Sequence, residues 1–189
     1  MKYYAKESSV TYLILSDSHG RPDLVQEAID RTKPDGILFC GDGLRDLTCA
    51  ELPALAEGCP LWAVQGNCDW LTSPLVIGNA MYEPEGELLI RPEGIPILLT
   101  HGHLQGVKGG LGSLISHAAR MGARAAVFGH THLPLERRIT PDSPEGASLT
   151  APLTLFNPGS LGQPRDGGDP SFGVIEMRRE GLLFSWGKI

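Results

Sequence analysis

Residues 10–20 read VTYLILSDSHG. Val10–Leu15 is a short apolar run with β-branched and aromatic members, the composition of a buried strand. It breaks off into the polar residues Ser16-Asp17-Ser18-His19. Pro22–Arg31 follows with Leu24, Val25, Ala28 and Ile29 at helical spacing, and Pro22 suits a first turn, where its missing N–H is not needed. The pattern then repeats: Ile37–Cys40 reads as a second strand and Leu61–Gln65 as a third. Between them Leu44–Glu57 reads as a helix with Leu44, Leu47, Leu52 and Leu55 on one stripe. Short continuous apolar strands separated by helices predict βαβ units and a sheet covered on both faces.

After Trp70 the pattern changes. Glu87–Ile90 and Ile95–Leu99 flank Arg91-Pro92-Glu93-Gly94, a hairpin signal. Lys108–Met121 reads as a helix and Ala125–Phe128 as a strand. Leu135–Ile139, Leu153–Phe156, Phe172–Met177 and Leu182–Trp186 predict a β-rich, antiparallel second half. Thr140–Pro152, polar and rich in Pro, Gly and Ser, reads as an exposed hairpin loop. With no internal repeat and no linker, the expectation is two sheets with helices outside them, in one domain over residues 1–189.

Composition agrees with that expectation. A chain of 189 residues is long enough to bury a sizeable core, and 41% hydrophobic with 20% charged residues argues against disorder. The 24 Gly and 15 Pro, set between apolar runs, read as tight turns. A net charge of −6 argues against broad binding to nucleic acid or an anionic membrane surface. No apolar stretch approaches the roughly 18 residues of a membrane span. The opening MKYYAKESSVTYLIL has too short an apolar run, and no small-residue cleavage site, for a signal peptide. The expected location is therefore cytoplasmic. Cys40, Cys49, Cys59 and Cys68 form no CxxC, which argues against a zinc knuckle or a thioredoxin-type pair; the first three read as small buried hydrophobes.

The chemistry lies where the strands end. Val10–Leu15 leads into Asp17-Ser18-His19, Ile37–Cys40 into Gly41-Asp42-Gly43, and Leu61–Gln65 into Gly66-Asn67-Cys68-Asp69. Ile95–Leu99 leads into His101-Gly102-His103, and Ala125–Phe128 into Gly129-His130-Thr131-His132. Five predicted strands thus deliver Asp, Asn or His just past their carboxyl ends, the edge where open α/β sheets bind ligands. Five of the six histidines fall in these blocks; only His117 lies elsewhere, on a predicted helix. Asp17, His19, Asp42, Asn67, His101, His130 and His132 are seven candidate donors, more than the four of a structural zinc site. Mixed nitrogen and oxygen donors suit two ions of Mn, Fe, Co, Ni or Zn sharing a carboxylate.

These blocks resemble those of the calcineurin-like metallophosphoesterases. Asp17-x-His19, Gly41-Asp42, Gly66-Asn67-x-Asp69, His101-Gly-His103 and Gly129-His130-x-His132 occur in the family's order, and Asn157-Pro158-Gly159-Ser160 with Gln163-Pro164-Arg165 extends the match. The length is similar to that of the small single-domain bacterial and archaeal phosphodiesterase branch. The resemblance implies an α/β fold, a four-layer αββα sandwich of two mixed sheets flanked by helices. It implies one metal on Asp17, His19 and His132, the other on Asn67, His101 and His130, with Asp42 bridging. Manganese comes first, with nickel, iron, cobalt or zinc as substitutes. The implied reaction is hydrolysis of a small phosphodiester by a metal-bridging hydroxide. Small members of the family also form dimers or tetramers, so a homo-oligomer is an open expectation.

One position departs from the family. Where the third block usually carries a histidine that binds phosphate and protonates the leaving group, this chain has Cys68. A thiol near its ordinary pKa is protonated at neutral pH and offers a proton without a positive charge. Phosphomonoesters, with their extra charge, lose most by that change. Cys68 and His103 are the candidate proton donors, and Asn67, His103 and Arg165 the candidate substrate contacts, with Arg45 a weaker one. Asp69, which in the family orients the replaced histidine, has a local turn as its other reading. Thr131 reads as a local hydrogen-bonding residue, Asn157–Ser160 as a turn supporting the site and Trp70 as core packing. Two rival readings remain. One is a catalytically weak scaffold or protein-binding module on the same fold, as the retromer subunit of this fold is. The other is a nuclease, against which the acidic chain shows no basic tract to hold a polymer.

Overall fold

The computed structural model describes residues 10–49, 59–70, 74–77, 80–165, 167–178 and 181–189. Strand β1 (Val10–Leu15) forms the middle of a five-stranded sheet. On one side it runs parallel to β2 (Gly36–Phe39), which runs parallel to β3 (Leu61–Ala63). On the other side it runs antiparallel to β11 (Ser171–Arg178), and β12 (Gly181–Lys188) closes that edge. The second five-stranded sheet has the order β6-β7-β8-β10-β9. Its strands are β6 (Glu87–Ile90), β7 (Ile97–Thr100), β8 (Ala125–Val127), β9 (Pro134–Ile139) and β10 (Leu153–Pro158).

The second half is therefore not antiparallel throughout, as its sequence suggested. β7, β8 and β10 run parallel, because helix α3 (Gly112–Arg120) crosses over between β7 and β8. Nor do all late strands stay together: the hairpin β11–β12 leaves the second sheet and completes the first. The predicted hairpins at 91–94 and 140–152 are present as β6–β7 and β9–β10. A further small hairpin, β4 (Leu75–Ile77) with β5 (Ala80–Tyr82), has strands too short for a period to show in the sequence.

Alternation along the strands builds the layers. Leu13 and Leu15 of β1 pack outward against Leu24, Val25 and Ile29 of α1 (Pro22–Thr32). Tyr12 and Ile14 point the other way and join Leu99, Val127 and Phe156 between the sheets. Leu98, Ala126 and Leu155 meet Leu114, Ile115 and Ala118 of α3 on the far side. The order helix, sheet, sheet, helix is the αββα sandwich. Between the sheets the Phe156 ring stacks on Phe184 at 4.7 Å and on Trp186 at 5.0 Å. Gly173 permits this, since a Cβ there would lie 2.4 Å from the Phe156 ring.

Two helix boundaries differ from the sequence reading. Residues 102–110 form successive turns, with Gly102, Gly106 and Gly110 all at positive φ, so α3 begins at Gly112 and not at Lys108. Leu44 and Arg45 form a turn ahead of the short helix α2 (Asp46–Cys49). The rest of the predicted Leu44–Glu57 helix lies outside the described residues. Among the described residues no helix is long and apolar enough to cross a membrane.

Candidate metal centre

The parallel strands β1, β2 and β3 of one sheet and β7 and β8 of the other carry the candidate donors just past their carboxyl ends, and the loops there are tied together. The Asp17 N–H donates to the Gly41 carbonyl at 3.0 Å, His19 to Asp42 at 3.2 Å and Gly129 to His101 at 3.2 Å. Asp17, His19, Asp42, His130 and His132 all adopt the left-handed region, with φ between 43° and 66°. Among the described residues only Lys33 and Glu93 do so otherwise without being glycine. Each such residue costs on the order of 1–3 kcal/mol, and such strain clusters at functional sites. Gly129 lets the loops close: a Cβ there would lie 1.9 Å from the Ser16 hydroxyl and 2.7 Å from Asp17 Oδ2.

Each carboxylate is held by one oxygen and presents the other. Asp17 is fully buried; its Oδ2 accepts the Ser16 hydroxyl at 2.5 Å and the His130 N–H at 3.0 Å. Its Oδ1 faces three imidazoles: His132 Nε2 at 3.1 Å, His101 Nε2 at 3.3 Å and His19 Nε2 at 3.8 Å. Asp42 is also buried; its Oδ1 accepts the Cys68 N–H at 2.6 Å, and its Oδ2 lies 3.4 Å from His101 Nε2 and 4.0 Å from His19 Nε2.

The imidazoles are turned inward by what lies behind them. His132 Nδ1 donates to the Gln163 carbonyl at 2.6 Å, which fixes its tautomer and directs Nε2 into the cluster. His101 Nδ1 lies 2.9 Å from His103 Nδ1, and the His130 ring stands edge-on to His101 at 4.9 Å.

Protonation follows this geometry. Burial raises the Asp17 pKa, but hydrogen bonds from His101 and His132 outweigh it and hold the carboxyl well below its ordinary range. The hydrogen bond with Asp17 raises His132. Burial, then the charge of His101, lowers His103; burial, then the charges of His101 and Lys108, lowers His130 to about 4.

This donor set fits a divalent cation. Within each of the trios Asp17–His19–His132, Asp42–His101–His130 and His19–Asp42–Cys68, donor atoms lie within 4.8 Å of one another. His19 Nε2 and His132 Nε2 face each other at 3.4 Å beside Asp17 Oδ1, an arrangement of nitrogens and carboxylate oxygens that a shared cation would satisfy. Asp42 and His19 each belong to two of the trios.

The remaining expected residues lie around this cluster. Asn67 is exposed, and its amide donates to Cys68 Sγ at 3.2 Å. Cys68 is an exposed residue, and its thiol is pushed up to about 11 by partial desolvation, its hydrogen bond to Asp42 and the charges of Asp42, Asp69 and Asp17. Arg165 is exposed beside His132, whose carbonyl accepts its N–H at 3.4 Å. Asn157 donates to the Gly129 carbonyl at 2.8 Å and to Thr131 Oγ1 at 3.2 Å, supporting the His130–His132 turn as expected. Trp70 is not core: it is 81% exposed and lines a cleft beside the donors. Asp69 does make a turn. Its carboxylate accepts the N–H groups of Asp42, Gly43, Leu44 and Gly66 at 2.7–2.9 Å, which holds the Asp42 loop against its own.

Sequence reasoning missed three supports. The Ser16 hydroxyl had a signal, standing at a strand end directly before Asp17. Asp46 accepts the Ser18 hydroxyl at 2.6 Å and the Gly20 N–H at 2.9 Å, and its only signal was an acid shortly after the Gly41-Asp42-Gly43 block. The Gln163 carbonyl had none, being backbone.

Residues 10–180 match the family model described as the calcineurin-like phosphoesterase superfamily domain. Among curated proteins the chain is 29% identical over 170 residues to the probable metallophosphoesterase YsnB of Bacillus subtilis, covering 89% of this chain and 85% of that one. Among solved structures it is similar to a conserved uncharacterized protein of Streptococcus pneumoniae TIGR4, described as a predicted phosphoesterase. That likeness has a TM-score of 0.70 at 24% identity, over 96% of this chain and 90% of the other. It also resembles wild-type Vps29 of Entamoeba histolytica, solved with zinc, with a TM-score of 0.61 at 15% identity over 95% and 99%.

Proposed function

The chain belongs to the calcineurin-like phosphoesterase superfamily and is a metal-dependent phosphoester hydrolase; on that premise we propose that it hydrolyses small phosphodiesters with two divalent ions, manganese foremost, in one domain over residues 1–189. The observation that carries this reading is the convergence of Asp17, Asp42 and four imidazoles at the ends of two sheets, with one oxygen of each carboxylate already occupied. Asp17, His19 and His132 would hold one ion. His101 and His130, with Asn67, would hold the other, and Asp42 would serve both. A bound divalent pair supplies Lewis acidity toward phosphoryl oxygens and lowers the pKa of water.

The chain's own residues do the rest. Gln163, through its carbonyl, and His103 orient His132 and His101. Arg165 and Asn67, both exposed, would meet a phosphoryl oxygen. The Cys68 thiol, held protonated, carries a proton for a leaving oxygen but no positive charge, which suits a diester monoanion better than a monoester dianion. His103 is the other proton donor in reach of the cluster. Five donors kept in left-handed backbone argue for chemistry over the scaffold reading that the Vps29 likeness suggests, since a scaffold gains nothing from that strain.

The test uses chelator-stripped protein. Manganese is added, its stoichiometry measured, and bis-p-nitrophenyl phosphate is assayed beside p-nitrophenyl phosphate. Two ions bound and manganese-dependent release mainly from the diester support the reading. Metal binding without turnover of either ester, with manganese, nickel, cobalt or zinc, favours the scaffold.

A further inference from the structure

The cleft beside the donor cluster has a wall that metal binding does not use. It encloses about 300 Å³, with His19 and Asp42 on the donor side and Arg45, Cys68 and Trp70 also lining it. Trp70 is more exposed than any other large apolar side chain among the described residues, yet its ring borders this cleft. The Arg45 guanidinium donates to the Trp70 carbonyl at 3.5 Å and forms no ion pair among the described residues. The neighbouring acids do not claim it. Asp69 is filled by four backbone N–H groups, Asp46 accepts from Ser18 and Gly20, and Asp42 Oδ1 from Cys68. Arg45 therefore keeps donors unspent beside the exposed Trp70, and both line the cleft that adjoins the donor cluster.

We propose that Trp70 and Arg45 are specificity-determining residues, and that the ester group retained on phosphorus is a nucleoside whose base stacks on the Trp70 indole. This rests on the phosphodiesterase reading. An exposed indole and a guanidinium that line the same cleft are the chemistry that holds a heteroaromatic ring, by stacking on the indole and by the planar cation beside it. An acyl chain would find only one large apolar side chain on this lining, among charged neighbours such as Asp42, Arg45, Asp46 and Asp69.

Two substrates with the same leaving group separate the effect: thymidine 5′-(p-nitrophenyl phosphate) and methyl p-nitrophenyl phosphate. The manganese-loaded protein is compared with its W70A and W70F variants. Base stacking on an aromatic side chain supports a change of about tenfold. The expected result is a KM about tenfold lower for the thymidine ester in the wild type. W70A removes this preference through KM, with kcat little changed and the methyl ester unaffected, and W70F keeps most of it. Independently of turnover, thymidine 5′-monophosphate quenches the fluorescence of the metal-free wild type, and W70F loses that quenching. Equal effects of W70A on both esters, or no preference in the wild type, overturn the proposal. If the wild type hydrolyses neither ester, the phosphodiesterase reading falls, and the quenching alone decides whether the platform binds a base; its absence then overturns the proposal too.

Discussion

The two sheets bring different chemistry to one edge and secure it in different ways. The first sheet brings the carboxylates, Asp17 and Asp42, each fixed through one oxygen by backbone N–H donors. The second brings His101, His130 and His132, turned by single contacts behind the ring, a carbonyl for His132 and a neighbouring ring for His101. A carboxylate has lone pairs enough to be tied down and still face a cation; a neutral imidazole has one nitrogen for each task. The carboxylate half should therefore tolerate change least. Asp42→Asn is expected to have the largest effect, because Asp42 is the carboxylate that joins both its trios, one with His19 and the other with His101 and His130. Its loss of activity should exceed the roughly 10–100-fold that outer partners cost. Metal titration should show fewer bound ions together with that loss. Undiminished activity would break the two-metal assignment. In the intact protein, manganese at about 100 times its Kd should add about 2.7 kcal/mol, or roughly 5–10 °C in Tm for a chain of this size. Asp42→Asn should lose most of that rise.

Asp69 tests the same half one step out. Asparagine would keep the size but turn an NH2 group toward backbone N–H donors that now meet an oxygen. The expected cost is about 1–3 kcal/mol of stability and roughly 10–100-fold in metal affinity. Denaturant unfolding and metal titration of the same preparation measure both. A variant that lost stability but bound manganese normally would show that the Asp42 loop keeps its place without this clamp.

Much of this was legible in the sequence, and the reasons are local. β1, β2 and β8 showed themselves by short, largely apolar runs, β6 by its place in a hairpin signal, and the donor blocks by polar residues set just past strand ends. The direction of β10 and the sheet to which β11 and β12 belong were not legible, because alternation fixes which face is buried and not which neighbour pairs. Trp70 misled because an indole is usually worth burying. The four-donor grip of Asp69 was invisible for another reason: its partners are backbone N–H groups, which every residue but proline carries.

The imidazole half has its own clamp in Asn157, which is fully buried and joins the Gly129 carbonyl, Thr131 and the Gly159 N–H. Asn157→Ala strands those partners, at about 1–3 kcal/mol. The contact with His130 and His132 is less direct than that of Asp69 with Asp42, so activity should fall by no more than about tenfold, the lower end of outer-partner effects. A fall larger than that of Asp69→Asn would reverse the ranking of the two halves.

Cys68 lies at the seam, its N–H on Asp42 and its sulfur grouped with His19 and Asp42, yet it is exposed and contributes little to the fold. Its thiol, pushed up to about 11, can give a proton but cannot offer charge to a phosphate dianion. Cys68→His would place an ionisable imidazole there. Diester turnover should change little, since a monoanion with a good leaving group needs neither the charge nor the acid. Monoester turnover should rise by roughly tenfold, a fraction of the roughly 10²–10⁴ that a fully positioned acid supplies. The quantity to measure is the ratio of p-nitrophenyl phosphate to bis-p-nitrophenyl phosphate turnover in the two proteins under the same manganese load. If the ratio does not move, charge at this position does not decide between monoesters and diesters, and the preference must come from the carboxylate half, where Asp17 and Asp42 would repel the second negative charge of a monoester.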